Sequence, residues 1–335
     1  KRRVREVRGT MMNLMFVHIP LFDPDGILNR WVKAVGKLFS WPGMALWLVI
    51  VGSGVAAVMG RWGDLADKAS GVLDPANLPL LYLGIVLTKV VHEFGHAFAC
   101  KRFGLIDGGG GEVHTMGVML LVLTPLPYVD ASSSWAFRSK WHRMLVASAG
   151  MMCELALAAV AAMIWARTAS GTTIHALCYN MMFIASVSTL LFNANPLLRY
   201  DGYYILSDLL EIPNLSNRGR QYIYYLIRKY VWGVRNPQSP AHSRGEKAWF
   251  VFYGIASTIY RVFICAFILL KVADKFFLVG IVLACTAVVG WVFVPIGKFV
   301  RYLATSGELA RVRGRAVGSV LGVVVAIIIG VGLIP

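Results

Sequence analysis

Residues 92–96 read His-Glu-Phe-Gly-His. On a helix, positions i and i+4 stand one above the other on the same face, so both imidazoles can reach a single ion. The glutamate beside the first histidine would place a base next to that ion. The plainer alternative is a pair of hydrogen-bonded core histidines. A catalytic zinc usually has three protein ligands and an open position for water. Two carboxylates could complete the set. Asp107 follows His96 by eleven residues, in Leu105-Ile106-Asp107-Gly108. Asp201 lies in Asn195-Pro196-Leu197-Leu198-Arg199-Tyr200-Asp201-Gly202.

The elements that must position these groups are apolar. Of 335 residues, 57% are hydrophobic and 15% charged, and mean hydropathy is +0.64, too apolar for the surface of a soluble domain. A helix needs about 20 residues to cross the hydrocarbon core. Seven stretches meet that length, at roughly 41–60, 78–100, 144–166, 174–197, 249–270, 276–297 and 317–335. Lys and Arg number 8 before the first span and 2, 5, 1, 8, 2 and 5 in the successive connections, with Lys89 and Arg261 inside spans. This alternation predicts a cytoplasmic N-terminus and an extracytoplasmic C-terminus. It also explains the net charge of +16 by topology and anionic lipid, which excludes nucleic acid as a partner. The second and fourth spans then both run from outside to inside, so His96 and Asp201 lie toward their cytoplasmic ends. That favours Asp201 over Asp107, which sits in a glycine run. Residue 1 is Lys, and the chain reads as part of a longer polypeptide. The five cysteines, at or inside spans and without a C-x-x-C pair, read as packing residues.

Four segments predict the layout as 1–40, a cytoplasmic amphipathic N-terminal segment; 41–200, the metal-bearing membrane core; 201–248, a cytoplasmic interfacial segment; and 249–335, C-terminal spans. Gly26–Ser40 repeats apolar residues at helical spacing, with Arg30, Lys33 and Lys37 between, as an interfacial helix would. Gln221–Gly233 mixes Tyr, Trp and Arg in a similar way, and Asn236–Gly245 is a polar turn region. Met116–Val129 is apolar but short, and Pro125 and Pro127 interrupt it, so it reads as a re-entrant β element, with a loop lying on the surface as the alternative. Its leading part, Glu112–Leu123, is the expected edge for a substrate strand. The fold class is therefore an all-α polytopic membrane protein of about seven helices, with a short re-entrant β element and interfacial helices.

Charges inside spans mark function or pairing. Lys89 shares a helix face with His92, Glu93 and His96, and could form an ion pair or tune Glu93. Glu154 and Arg261 should lie at similar depth and pair with each other. His114 and His142 read as ordinary loop residues.

His92-Glu93-Phe94-Gly95-His96 in one span and Asn193-Ala194-Asn195-Pro196 leading to Asp201-Gly202 after another resemble the site-2 protease family of intramembrane zinc metalloproteases. The phrase NPLLRYDGYY, with HEFGH and GEVHTMGV, is more similar to a bacterial branch described as putative peptide zinc metalloproteases. Tyr200 stands where the family has Leu, Leu105–Gly111 looks like an insertion, and no PDZ module is recognisable. The resemblance implies Zn2+ held by His92, His96 and Asp201, Glu93 as general base, and Asn193 as donor to the oxyanion, with Asn195 the fallback. It implies hydrolysis of a membrane-associated or exported peptide in a bacterial inner membrane, with an exporter or adaptor component as a further partner. The alternative is a non-proteolytic zinc-binding component of a peptide export or efflux system.

Overall fold

The computed structural model describes residues 16–69, 71–108, 110–121 and 124–332. The first fifteen residues of the expected N-terminal segment, and the last three of the expected seventh span, lie outside that set. The chain is mostly helical. Among the described residues, six helices are long and apolar enough to cross a membrane: Trp41–Val58, Pro75–Ile106, Lys140–Trp165, Thr173–Asn193, Arg244–Asp274 and Gly280–Thr305. The seventh expected span falls on a helix at Arg313–Gly332. Two compact units divide the chain, Lys1–Glu211 and Ile212–Pro335.

In the first unit a strand, β1 (Phe16–Phe22), precedes helix α1 (Asp25–Val35). Helices α2 (Trp41–Val58) and α3 (Trp62–Ala69) lead to the long α4 (Leu78–Ile106). Ser40 caps α2, its hydroxyl accepting from the Gly43 N–H, and Pro79 sits in the first turn of α4, where the missing N–H costs nothing. Strands β2 (Met116–Leu121) and β3 (Thr124–Val129) follow, then α5 (Lys140–Trp165), α6 (Thr173–Val187) with a π-helical extension at Ser188–Asn193, and α7 (Asp201–Leu209). Asp201–Glu211 belongs with the preceding core, tied to α5 by Arg143–Asp208 at 2.8 Å and Lys140–Glu211 at 2.6 Å.

The three strands form one antiparallel sheet in the order β1-β2-β3. The expected single β element is thus a hairpin extended by an N-terminal strand that its composition did not announce. β2 is paired on both sides, from Phe16↔Leu121 on one edge to Met116↔Val129 on the other. Its backbone is therefore not the free edge for a substrate. β3 is the outer strand of the sheet, paired only with β2 among the described residues. Antiparallel strands alternate inward and outward backbone groups. The Pro125 carbonyl accepts from the Tyr82 hydroxyl at 2.8 Å, and the Val129 N–H donates to Glu93 at 3.0 Å, so odd-numbered residues of β3 face α4 rather than β2. Pro125 and Pro127 thus occupy positions that owe no donor to the ladder, which is why a strand can contain both. Tyr82 and Glu93 lie about 16 Å apart along α4 at 1.5 Å per residue, so β3 runs beside an apolar helix for much of its length.

α1 is amphipathic as expected, but it presents two apolar stripes. Leu28 and Val32 are buried, Leu28 against Ala97, Cys100 and Phe103 of α4, while Ile27 and Trp31 remain exposed. Lys101 of α4 donates to Asp25 at 2.6 Å and anchors the start of α1.

The second unit holds α8 (Leu215–Leu226), continued by a π-helical turn at Ile227–Val231, then α9 (Arg244–Lys275), α10 (Phe277–Val288), α11 (Val294–Thr305) and α12 (Arg313–Gly332). Ser243 caps α9 by accepting from the Glu246 N–H, and the Glu246 carboxylate accepts in return from the His242 N–H. Trp232, Leu303, Leu309 and Ala316 form a small core of their own. All five cysteines are free thiols.

Candidate functional site

Small residues let the helices of the first unit approach closely enough to build a site. A Cβ on Gly95 of α4 would lie 2.9 Å from both the Ala149 carbonyl oxygen and the Cys153 sulfur of α5. A Cβ on Gly150 would run into the Nε2 atoms of both His96 and His92. Contact between backbones, made possible by glycine, thus brings α5 against the imidazole face of α4.

Each imidazole is fixed from behind. His92 Nδ1 lies 2.9 Å from Glu154 Oε2, and His96 Nδ1 lies 2.8 Å from the Val146 carbonyl oxygen. A carbonyl and a carboxylate can only accept, so these partners assign the Nδ1 proton on both rings and leave a lone pair on each Nε2 of the neutral imidazoles. Those two Nε2 atoms face each other at 3.1 Å. Asp201, at the start of α7, closes the triangle, with Oδ2 3.3 Å from His92 Nε2 and Oδ1 3.5 Å from His96 Nε2. Asp201 Oδ2 is buried and makes no well-directed hydrogen bond. Two imidazole nitrogens and one carboxylate therefore converge on one point.

The spacing fits a small tetrahedral cation. Metal bonds of about 2.0–2.1 Å imply ligand-to-ligand edges of about 3.3–3.4 Å. The three observed separations bracket that value. His92, His96 and Asp201 form the metal-competent cluster among the described residues. Asp107 is elsewhere. Its carboxylate takes His142 Nδ1 at 2.7 Å and the Arg138 N–H at 2.8 Å, where it joins the glycine-rich loop to the start of α5. His142 is accordingly a helix residue, stacked on Phe103, rather than a loop residue. His114 lies in the loop before β2, exposed and paired with Asp23.

Glu93 faces the same cavity of about 560 Å³, whose walls also include His92, His96, Asp201, Asn193 and Pro127. Its Oε2 accepts the Val129 N–H at 3.0 Å, which ties the carboxylate to the end of β3. Asn193 also lines the cavity, but its amide is already engaged, donating to Glu154 Oε2 at 3.1 Å. Asn195 is a turn residue whose Oδ1 accepts from the Leu197 N–H.

Glu154 is the residue whose place the sequence misjudged. It is fully buried, and its partners are in the first unit: His92, Asn193 and Lys89, whose ammonium lies 3.3 Å from Oε1. These partners were not read from the sequence, which offered Arg261. Lys89 and His92 lie one turn apart on α4, so that helix supplies the carboxylate with both a cation and an imidazole donor. Lys89 forms the ion pair that was one of its two expected roles, and it also donates to Ser188 Oγ at 2.5 Å. Glu154 and Lys89 could be found as charges within spans. Gly150 and the Val146 carbonyl carry no sequence signal.

No family model, no curated protein and no solved structure matches this chain.

Proposed function

We propose that the chain is a membrane-embedded zinc metallohydrolase that cleaves peptide bonds. The observation that carries this reading is the triangle of two imidazole lone pairs and one carboxylate at the edge length of a tetrahedral ion, with a glutamate on the same cavity wall. His92, His96 and Asp201 would hold the metal. Zinc bound there supplies an activated water near neutral pH and polarises a carbonyl. A structural zinc site has no use for a base beside its ligand, and Glu93 is that base.

The remaining work falls to the chain itself. Glu93 receives a proton and passes it to the leaving amine, and the Val129 N–H keeps its carboxylate oriented toward the cavity. Glu154 fixes the tautomer and plane of His92 and holds Asn193 on the cavity wall. Asn193 could serve an oxyanion only through whatever freedom its bond to Glu154 leaves it. A peptide bond is exposed only in extended chain, and the outward edge of β3 offers the Pro127 carbonyl as an acceptor for such a strand. The six apolar helices support a multi-pass membrane protein, and with the helix at Arg313–Gly332 as a seventh crossing the Lys/Arg alternation supports a cytoplasmic N-terminus and an extracytoplasmic C-terminus; a bacterial inner membrane rests on the resemblance of the motifs.

Purified protein tests the reading. One zinc per chain is expected, lost in His92→Ala and Asp201→Ala and kept in Glu93→Gln and Asp107→Ala. Cleavage of an unfolded model peptide should disappear in the first three. Zinc retention by Asp201→Ala, or cleavage by Glu93→Gln, would overturn it. Zinc binding without cleavage by the parent protein would favour the non-proteolytic component of an export system.

A further inference from the structure

We propose that the second unit carries a binding site for an anionic glycerophospholipid. The site consists of two adjoining cavities of opposite character. The first, about 1020 Å³, is polar, and Arg228, Arg235 and Arg311 line it with Glu308 as the only carboxylate among its wall residues. The second, about 900 Å³, is walled largely by Ile227, Val231, Trp232, Phe299, Tyr302 and Val320, with Arg220 and Lys298 also in its lining. Gln221 and Arg228 belong to both, so the two spaces meet at a guanidinium.

Charge decides the class of ligand. Five cations line the two cavities against one carboxylate. Glu308 is taken by Arg228 at 3.0 Å, and no ion pair reaches Arg220, Arg235, Lys298 or Arg311 among the described residues. Arg228 has a donor to spare, because its Nε is buried without a hydrogen-bond partner. Guanidinium forks match phosphate oxygens in geometry and charge. A free phosphate compound would use the polar cavity and leave the apolar one empty. A phospholipid fills both, with its phosphate near Arg228 and an acyl chain along Trp232.

The surroundings suit an interfacial ligand. The Trp232 indole N–H is tied to Ser319 Oγ at 3.1 Å, and its ring lies 6.1 Å from Phe299 and 6.4 Å from Tyr302. Trp and Tyr gather at the level of lipid headgroups, and basic pockets beside spans on the cytoplasmic side hold anionic headgroups. The two segments that build the site, around 220–240 and 298–320, come from connections with eight and five Lys or Arg, which the charge alternation assigns to the same face. Diffuse attraction of a basic surface to anionic lipid would need neither the aromatic wall nor the shared arginine.

The test uses the full chain in nanodiscs of phosphatidylcholine doped with phosphatidylglycerol brominated on its acyl chains, which quenches tryptophan on contact. The Trp232 contribution is the difference between the parent protein and Trp232→Phe. Saturable quenching of that component by brominated phosphatidylglycerol, at a mole fraction at least about 30-fold lower than by brominated phosphatidylcholine, is the expected result. Arg235→Gln and Arg311→Gln should each weaken the preference about 5-fold, and together roughly 30-fold. Equal quenching by the two lipids overturns the proposal without recourse to any substitution at the arginines. So does an unchanged preference in the double variant, or full displacement by millimolar inorganic phosphate, which would mark a soluble anion as the ligand.

Discussion

Replacing Glu154 separates a residue that positions a ligand from one that merely fills the core. Its carboxylate is fully buried and accepts from three donors: His92 Nδ1 at 2.9 Å, Asn193 Nδ2 at 3.1 Å and Lys89 Nζ at 3.3 Å. Glutamine keeps the shape but offers one acceptor oxygen and one amide donor. If the oxygen serves His92 and Asn193, the amide nitrogen faces the Lys89 ammonium; if it serves Lys89, a donor faces His92. One contact is lost in the first orientation and two in the second, since His92 and Asn193 share Oε2. Partners that orient a ligating histidine contribute about 10- to 100-fold to metal affinity. Glu154→Gln should therefore weaken zinc binding by about tenfold, and Glu154→Ala by about a hundredfold. Alanine also leaves Lys89 without its buried partner, which costs about 3–5 kcal/mol of stability.

The control is the double variant Lys89→Met/Glu154→Leu. Replacing a buried ion pair by apolar residues of similar volume is often neutral or stabilising. This variant should recover the thermal stability of the metal-free protein but not its zinc affinity, because His92 still lacks its acceptor. Zinc competition against a chromophoric chelator, read beside thermal unfolding in detergent, gives both quantities. Zinc affinity within twofold of the parent in Glu154→Gln would refute the reasoning. So would recovery of both properties in the double variant.

Gly150→Ala places a methyl against both ligating nitrogens, so zinc stoichiometry should fall well below one per chain at a stability cost of about 1–3 kcal/mol. Val129→Pro deletes the N–H that holds Glu93 while keeping the ladder, since its N–H points away from β2 as do positions 125 and 127. Turnover should fall about 10- to 100-fold with zinc retained. Asp25 gives a pH dependence of known sign. Burial works to raise its pKa, but the Lys101 ammonium and the Val113 N–H outweigh this and lower it. A depressed folded pKa stabilises the protein above the unfolded value of about 3.9, and this is lost as pH falls through the folded value. The difference in melting temperature between the parent and Asp25→Asn should accordingly be present at pH 7 and shrink as pH falls below 4.

Whatever depends on spacing within one element was determined by the amino-acid order alone. His92, Glu93 and His96 share a helix because an i,i+4 pair must, and the apolar runs that became six spanning-length helices were recognisable from length and hydropathy. Asp201 was within reach of sequence reasoning because two helices of the same polarity end on the same side. What only tertiary structure decided is how separate elements meet. β2 lost its free edge because a strand near the N-terminus, without a distinctive pattern, pairs with it. That Glu154 meets Lys89 and His92 was not legible, because depth in a membrane orders charges along one axis only. The direction each helix face turns is set by packing, here by Gly95 and Gly150 drawing α5 onto α4. A linear pattern can specify a face and a depth, and the partner on the far side of that face emerges only when the helices close together.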